Sequence, residues 1–254
     1  MRRAIAIGAL GLSAFLLALP AAAVEKIVLP EEKWRFDGPL GTFDRAELQR
    51  GFLVYKEVCA GCHSLKYLAY RNLAEIGFSA AEVKAIAAQV QVTDGPNEQG
   101  EMFQRPGLPA DRFKSPFANE KAARAANNGA YPPDLSLITK ARVGGPDYTY
   151  AVLIGYDDPP AGVLLADGMS YNRYFPGHQI AMPQPLASDG QVDYADGTEA
   201  SVARMARDVT AFLHWAAEPK LEERKRLGLK VGLFLLVLTG LFYLVKRKVW
   251  AAAH

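Results

Sequence analysis

The sequence contains little cysteine and little histidine, with two cysteines and four histidines among 254 residues. A second Cys-x-x-Cys pair is absent, which excludes a zinc site built from two such pairs. The sequence also lacks a P-loop, a Gly-x-Gly-x-x-Gly segment, an arginine-rich patch and internal repeats. Nucleotide binding and nucleic-acid binding therefore have no support in the sequence.

The two cysteines that are present lie three residues apart and are followed directly by a histidine. Residues 59–63 read Cys-Ala-Gly-Cys-His. Covalent haem attachment requires this arrangement, because both thiols add to the haem vinyl groups while the imidazole reaches the iron from one side. The pattern predicts one covalently bound haem c, attached through Cys59 and Cys62, with His63 as an iron ligand.

Two other uses of a Cys-x-x-Cys pair have less support. A redox dithiol normally lies in a strand-rich βαβ context, which the surrounding sequence does not offer. Half of a zinc site would need further ligands, and the remaining histidines, His178, His214 and His254, make no spaced ligand pair with one another.

The N-terminal 23 residues have the three parts of a secretory signal peptide. A basic start, Arg2-Arg3, is followed by an apolar run over residues 4–19 and by three alanines at residues 21–23. We predict that residues 1–23 are cleaved off. The alternative is an uncleaved anchor, although the apolar run is short for a membrane span. Export implies an oxidising compartment, yet no cysteine outside the haem motif remains for a structural disulfide.

A second apolar segment, residues 227–245, predicts a transmembrane anchor near the C-terminus. Residues 231–245 carry no charge, and the long side chain of Lys230 can extend its amine to the interface. Basic residues flank the segment on both sides, so the signal peptide decides the orientation. We expect a single-pass protein of the inner membrane, with residues 24–226 as a periplasmic haem domain and residues 246–254 as a cytoplasmic tail. A buried core helix is the alternative.

The formal net charge of +2 hides an acidic exported domain. Residues 24–223 contain 27 acidic and 20 basic residues, a net charge of −7. If charge steers the encounter, a soluble partner of this domain should be basic. An acidic surface that only aids solubility is the alternative. The acidic pairs Glu98 with Glu101, Asp157 with Asp158 and Asp193 with Asp196 are candidate contacts.

Hydrophobic periodicity and capping residues predict a mostly α domain with long loops. Helices are expected after Asp44, running up to the haem motif, and from Ser79 to Val92. Further helices are expected from Asn119 to Gly129, through Lys140, and from Pro146 to Ile154. The last helix before the anchor is expected to start at Thr198 and to end near Pro219. Residues 28–40, 94–116 and 157–197 show no regular pattern and predict an extended arm and two long loops.

The second axial ligand decides whether the iron is a closed electron carrier or a site open to small ligands. Met182 is favoured, because prolines on both sides stiffen its loop and lower the entropy lost in presenting the thioether. Met102, Met169 and His178 stay open as alternatives. Met205 and His214 lie in the last amphipathic helix, where core packing explains them better.

The chain as a whole resembles the cytochrome c1 family, the haem subunits of bacterial ubiquinol:cytochrome c oxidoreductase (cytochrome bc1) complexes. The resemblance covers nearly the whole mature chain. It rests on the haem motif and on Arg50-Gly51-Phe52, Val54-Tyr55-Lys56, Tyr70-Arg71, Ala125-Ala126-Asn127-Asn128-Gly129, Pro132-Pro133-Asp134-Leu135-Ser136, Ala141-Arg142, Gly144-Gly145, Asp147-Tyr148, Tyr174-Phe175-Pro176-Gly177, Ala181-Met182 and Trp215-Ala216-Ala217-Glu218-Pro219.

The resemblance implies a class I cytochrome c-like fold and a set of residues around the haem. It implies that Met182 is the sixth iron ligand and that Asn127, Arg142 and Tyr148 lie near the haem propionates. It also implies that Pro133 lies beside His63, with its carbonyl as a hydrogen-bond acceptor for the imidazole. Some bacterial members carry an extra cysteine pair in the loop between residues 155 and 182, and this chain has none.

The function that the resemblance implies is single-electron transfer without bond chemistry. The expected partners are a cytochrome b, a Rieske iron–sulfur protein as electron donor, a basic c-type cytochrome as acceptor, and membrane lipid. Two alternatives remain at this point. One is an anchored haem subunit of another respiratory complex, and the other is a haem sensor or catalytic subunit with an open iron face.

Overall fold

A computed structural model describes residues 27–251 of the chain. This part is mostly helical, as the sequence predicts, and the strands are short. The α-helices are α1 (Arg45–Val54), α2 (Ala80–Ala88), α3 (Glu120–Ala126), α4 (Ile138–Ala141), α5 (Gly145–Ile154), α6 (Val202–Ala217) and α7 (Leu221–Ala251). A π-helical turn (Tyr55–Cys59) continues α1, and a 3-10 helix covers Tyr70–Ile76. The strands are β1 (Gln91–Asp94), β2 (Phe103–Pro106), β3 (Ser170–Tyr171) and β4 (Gln179–Ile180).

The helix starts follow the capping residues in the sequence. The Asp44 carboxylate accepts hydrogen bonds from the first backbone amides of α1. Ser79 and Glu82 form a reciprocal capping box at the start of α2, and Asn119 caps α3. These side chains satisfy amides that have no partner within the helix, so the starts are set by local sequence.

The centre of the core lies where α1 crosses α6. Gly51 lets the two backbones approach closely, since a Cβ at this position would lie 2.0 Å from the carbonyl oxygen of Asp208. Arg50 on α1 reaches across to the fully buried carboxylate of Asp208 at 2.7 Å. The large side chains that fill the interior include Leu48, Val54, Tyr55, Met205, Val209, Phe212 and Trp215. Because α1 leads directly into the haem motif, this crossing fixes the position of the motif.

The N-terminal arm lies on the domain as an irregular segment, in agreement with the prediction. The Trp34 indole donates a hydrogen bond to Asp147 at 2.6 Å, and the Arg207 guanidinium lies over the same indole. The arm therefore ties the first turn of α5 to α6.

Four details of the predicted elements are wrong. Helix α2 ends at Ala88, because residues 91–94 pair as β1 with β2 in an antiparallel hairpin. The excursion at 94–116 therefore contains a strand. The loop at 157–197 contains the small antiparallel pair β3–β4. Helix α6 starts after the Ser201 cap and not at Thr198. The first three errors come from strand pairing. The fourth comes from the choice between two polar residues, Thr198 and Ser201, that could each cap the helix. Hydrophobic periodicity reveals neither.

Helix α7 contains the predicted anchor and begins inside the haem domain. It has 31 residues, and its most apolar stretch has a mean hydropathy of 2.1 and contains no buried residue, which makes it a candidate membrane span. Leu221 is buried, and Glu222 accepts a hydrogen bond from the Phe43 amide at 2.9 Å. The first turn of α7 is thus part of the domain. The predicted signal peptide lies outside the described residues.

Candidate functional site

The Cys-x-x-Cys-His motif forms a tight turn at the end of the α1 segment. The amides of Cys62 and His63 donate to the carbonyl of Cys59 at 3.1 and 2.9 Å. This turn places both thiols on the same short piece of backbone. Cys59 packs against the hydrophobic core, whereas Cys62 is exposed.

The environment of Cys59 argues against a redox dithiol. Burial, with a smaller contribution from Cys62, raises the pKa of the Cys59 thiol to about 12. A reactive dithiol needs the opposite, a thiol whose pKa is lowered so that the thiolate is present near neutral pH. The part of the chain that the structure describes also contains no cluster of three or more side chains suited to a metal ion such as zinc.

The imidazole of His63 is held in one orientation by the predicted acceptor. Its Nδ1 lies 2.8 Å from the Pro133 carbonyl oxygen and donates a hydrogen bond to it. A proton on Nδ1 leaves Nε2 without one, which is the form that ligates a metal. Burial lowers the pKa of His63, so the neutral form is further favoured.

Asp134 fastens the chain after His63 to the segment that carries Pro133. Its carboxylate accepts hydrogen bonds from the Ser64 hydroxyl at 2.7 Å and from the Lys66 and Ser136 amides at 3.0 Å each. Burial raises the pKa of Asp134, but these hydrogen bonds outweigh it and hold the pKa below its ordinary value. The Leu135 amide adds a bond to the Ser64 carbonyl at 2.9 Å. The His63–Pro133 contact is therefore embedded in a hydrogen-bonded pair of segments.

The sequence analysis does not assign this role to Asp134. An aspartate after two prolines and two residues before a serine is a typical signal of a turn that bonds its own backbone. That signal predicts the bond to the Ser136 amide. It does not predict the bonds to Ser64 and Lys66, because these are about 70 residues away in the chain.

Met182 lies two residues after β4 and is half-buried. Its carbonyl accepts a hydrogen bond from the Tyr156 hydroxyl at 2.9 Å. Tyr156 lies two residues after α5, so the end of this helix supports the segment that carries Met182, residues 180–186, which we call the methionine loop. Met169, another candidate ligand, is half-buried just before β3.

The other candidate axial ligands have different surroundings. Met102 is 62% exposed at the β1–β2 hairpin, and Met205 is fully buried in the core, which confirms core packing for Met205. His214 stacks on Phe36 with ring centroids 4.4 Å apart, and its Nδ1 lies 3.2 Å from Thr139 Oγ1. The His178 ring stacks on Tyr171.

The three residues that the resemblance assigns to the propionates lie on different elements: Asn127 follows α3, Arg142 follows α4 and Tyr148 lies near the start of α5. Burial raises the pKa of Tyr148, and the positive charge of Arg142 acts against this rise. The Arg142 side chain is exposed and reaches only the Ala141 carbonyl among the described residues. Asn127 is the C-cap of α3, and its side-chain amide donates a hydrogen bond to the Ala123 carbonyl at 2.7 Å.

The residues present fit a covalently bound haem. Two free thiols lie on one turn, and the neighbouring imidazole has its metal-binding nitrogen free of a proton. Arg142 is an exposed cation with no carboxylate partner in the described part of the chain, which suits contact with an anionic group.

Comparison with known proteins gives a family match over most of the chain. The model described as the Cytochrome C1 family matches residues 34–253. "Cytochrome c1 1, heme protein, mitochondrial" of Arabidopsis thaliana is 54% identical over 209 residues, which cover 82% of this chain and 67% of that protein. "Cytochrome b-c1 complex catalytic subunit, mitochondrial" of Candida albicans is 51% identical over 225 residues, which cover 87% of this chain and 77% of that protein.

A bacterial relative is longer than this chain. "Cytochrome b/c1" of Bradyrhizobium diazoefficiens is 56% identical over 247 residues, which cover 89% of this chain but 36% of that protein. This chain therefore matches about a third of the length of that relative.

Proposed function

The chain belongs to the cytochrome c1 family, and from this premise we propose that it is the haem-carrying electron-transfer subunit of a cytochrome bc1 complex. It would accept single electrons from a Rieske iron–sulfur protein and pass them to a c-type cytochrome. The chain carries a covalently bound c-type haem, whose iron, when bound, supplies the one-electron chemistry. The protein holds the group, orients it and makes no bonds in a substrate.

The observation that carries the proposal is the fixed imidazole at the end of the Cys-x-x-Cys-His turn. The Pro133 carbonyl accepts the Nδ1 proton of His63 at 2.8 Å. This bond selects the tautomer and increases the basicity of Nε2, which strengthens it as an iron ligand. Cys59 and Cys62 are the attachment points in this proposal.

In this proposal Met182 would bind the iron together with His63, and Arg142, Tyr148 and Asn127 would hold the propionates. Ligation by methionine and histidine would raise the reduction potential of the haem, which suits a carrier late in an electron-transfer chain. Arg142 would supply the charge-assisted hydrogen bond that a partly buried carboxylate needs.

We propose that α7 anchors the chain, that residues 24–226 form a periplasmic domain and that the acceptor is basic. Two of the candidate acidic contacts are already paired within the domain, since Asp157 pairs with Arg173, and Asp196 with Arg50. Glu98 and Glu101 are exposed at the β1–β2 hairpin and pair with no cation in the described part of the chain. These two carboxylates are therefore the better candidates for docking.

The test is Met182→Leu in the full chain, expressed with its complex in native membranes. We expect the variant to retain covalent haem but to lose the methionine-to-iron charge-transfer band of the ferric protein. Its reduction potential should fall sharply, and its reduced iron should bind carbon monoxide. Met102→Leu is the matched control, because Met102 is exposed at the β1–β2 hairpin. It should behave as wild type.

Three outcomes would contradict parts of the proposal. An unchanged spectrum in Met182→Leu would remove Met182 from the iron. Carbon monoxide binding by the wild-type reduced protein would support the open-face alternative. Purification without a cytochrome b and a Rieske protein would place the chain in another complex. Oxidation of the haem by a basic c-type cytochrome added outside intact spheroplasts would support both the orientation and the acceptor.

A further inference from the structure

The methionine loop is anchored in the core on both sides of Met182. Ile180, at the end of β4, is 7% exposed, and Leu186 is 1% exposed. Beyond Met182, the Gln184 side chain donates to the Leu186 carbonyl at 3.0 Å. The segment between these two anchors accepts two hydrogen bonds from outside it. The Gln191 side chain donates to the Pro185 carbonyl at 2.8 Å, and the Tyr156 hydroxyl donates to the carbonyl of Met182 itself at 2.9 Å.

Tyr156 is itself held in place at the end of α5. It follows Gly155, the C-cap of that helix, and forms an isolated antiparallel bridge with Asn172. Because a carbonyl oxygen can only accept, the Tyr156 hydroxyl is the donor of the bond to Met182. The donor therefore lies at the end of α5 and is held there by its bridge to Asn172.

Asn172 fastens the chain before the methionine loop to the same helix end. Its side chain is fully buried, and its amide donates to the Val152 carbonyl at 2.8 Å. Its side-chain oxygen accepts from the amides of Tyr174 at 3.0 Å and Phe175 at 3.1 Å. The Arg173 amide adds a bond to the Gly155 carbonyl at 2.9 Å.

Gly155 allows this close approach. A Cβ at this position would lie 2.6 Å from the Tyr174 ring and 2.8 Å from the Asn172 side-chain oxygen. The loop between α5 and Met182 is thus braced by hydrogen bonds and close backbone packing, and both cysteines of the chain lie in the haem motif.

We infer that Tyr156 is a positioning residue for the sixth ligand: its hydrogen bond to the Met182 carbonyl keeps the thioether within reach of the iron. This inference rests on the proposed function, because it requires Met182 to be an iron ligand. The bond fixes the backbone from which the methionine side chain extends, so less entropy is lost when the sulfur binds. Without the bond, the state in which the methionine has left the iron becomes more populated.

The experiment uses the full-length holoprotein in detergent and compares Tyr156→Phe with wild type. The substitution keeps the ring and its packing and removes only the hydroxyl. Imidazole is the probe, because it binds ferric iron only when the methionine has left. Its apparent affinity is then proportional to the fraction of open protein. Loss of one hydrogen bond of ordinary strength should raise that affinity by between about twofold and about tenfold.

Two further readouts report on the bond between methionine and iron and not on the stability of the whole fold. The methionine-to-iron charge-transfer band should disappear at a lower temperature in Tyr156→Phe than in wild type, and the reduction potential should fall. Tyr171→Phe is the matched control. Tyr171 lies in β3, before the methionine loop, and its hydroxyl makes no hydrogen bond to another described residue. It should match wild type in all three readouts.

Failure of the inference is distinguishable from failure of the proposed function. If Met182→Leu opens the iron to imidazole but Tyr156→Phe matches wild type and Tyr171→Phe, the positioning role is wrong while the ligand assignment stands. If Met182→Leu leaves imidazole binding and the charge-transfer band unchanged, the ligand assignment is wrong and the inference is overturned with it.

Discussion

Replacing Gly51 by alanine should destabilise the protein, although the same change in an ordinary helix stabilises it. Gly51 lies in α1 at the crossing with α6, where a Cβ would be 2.0 Å from the Asp208 carbonyl oxygen and 2.7 Å from the Phe212 Cβ. Ordinary contacts begin at 3.4 Å. The two helices would therefore have to move apart by more than about 1 Å at this point, which weakens the contacts of the large core side chains beside it.

The magnitude follows from two opposing effects. Alanine in place of glycine in a helix interior contributes about 1 kcal/mol of stability. Overpacking in a filled core costs about 1–3 kcal/mol, and the upper end applies here because the nearest atoms belong to backbone and cannot rotate away. The net loss is about 2 kcal/mol, which for a chain of this size lowers the melting temperature by about 4–8 °C.

The assay is thermal unfolding of the detergent-solubilised holoprotein, followed by circular dichroism. Gly228→Ala is the control, because a Cβ at Gly228 has nothing within 4 Å and the residue, like Gly51, lies inside a helix. It should melt at or above the wild-type temperature, since alanine is the better helix former. A Gly51→Ala variant that melts at or above the wild-type temperature would refute the argument that close backbone approach at this crossing fixes the haem motif.

Two other predictions concern single carboxylates. Asp134→Ala removes the acceptor of three hydrogen bonds around His63. It should lower the free energy of unfolding of the holoprotein by about 2 kcal/mol in a denaturant titration, with a smaller loss for Asp134→Asn. Equal unfolding midpoints for wild type and both variants would contradict this. Hydrogen bonds from Arg105 and from the Leu108 amide lower the pKa of Asp111 to about 2. A carboxyl whose pKa is lowered by folding contributes stability above its unfolded pKa of about 3.9, and this contribution is lost as the pH falls through about 2. Hydrogen exchange of the Leu108 amide, corrected for its intrinsic rate, should therefore accelerate in wild type as the pH falls from about 4 to about 2. In Arg105→Gln it should already be faster at about pH 4. Identical corrected rates in wild type at both pH values would count against a stabilising contact between Asp111 and the Leu108 amide.

The helices could be located from the sequence because their signals are local. A capping residue acts on amides two or three positions away, and an apolar stripe repeats within one helix. Asp44, Ser79 and Asn119 therefore start helices where they were expected. The β1–β2 hairpin was missed because its strands are four residues long and their pairing across the intervening loop leaves no apolar alternation in the sequence.

The anchor illustrates a boundary that only packing defines. The apolar run predicts residues 227–245, but the helix begins at Leu221, which is buried in the haem domain. Glu222 is polar and carries no sign of a membrane segment, yet it contacts the Phe43 amide and the Arg45 side chain. The sequence separates domain from anchor, whereas in the structure one helix belongs to both.

The sequence by itself determined the haem chemistry, because Cys59, Cys62 and His63 are neighbours in the chain and their spacing alone meets the requirement for covalent attachment. The sequence also determined the mostly helical class and the candidate membrane span, since both depend on local periodicity and composition. Only the tertiary structure decided what holds the motif and the methionine loop. The bonds of Asp134 to Ser64 and of Tyr156 to Met182 join positions 70 and 26 residues apart. Such partners are chosen by how the helices pack, and no local pattern records that choice.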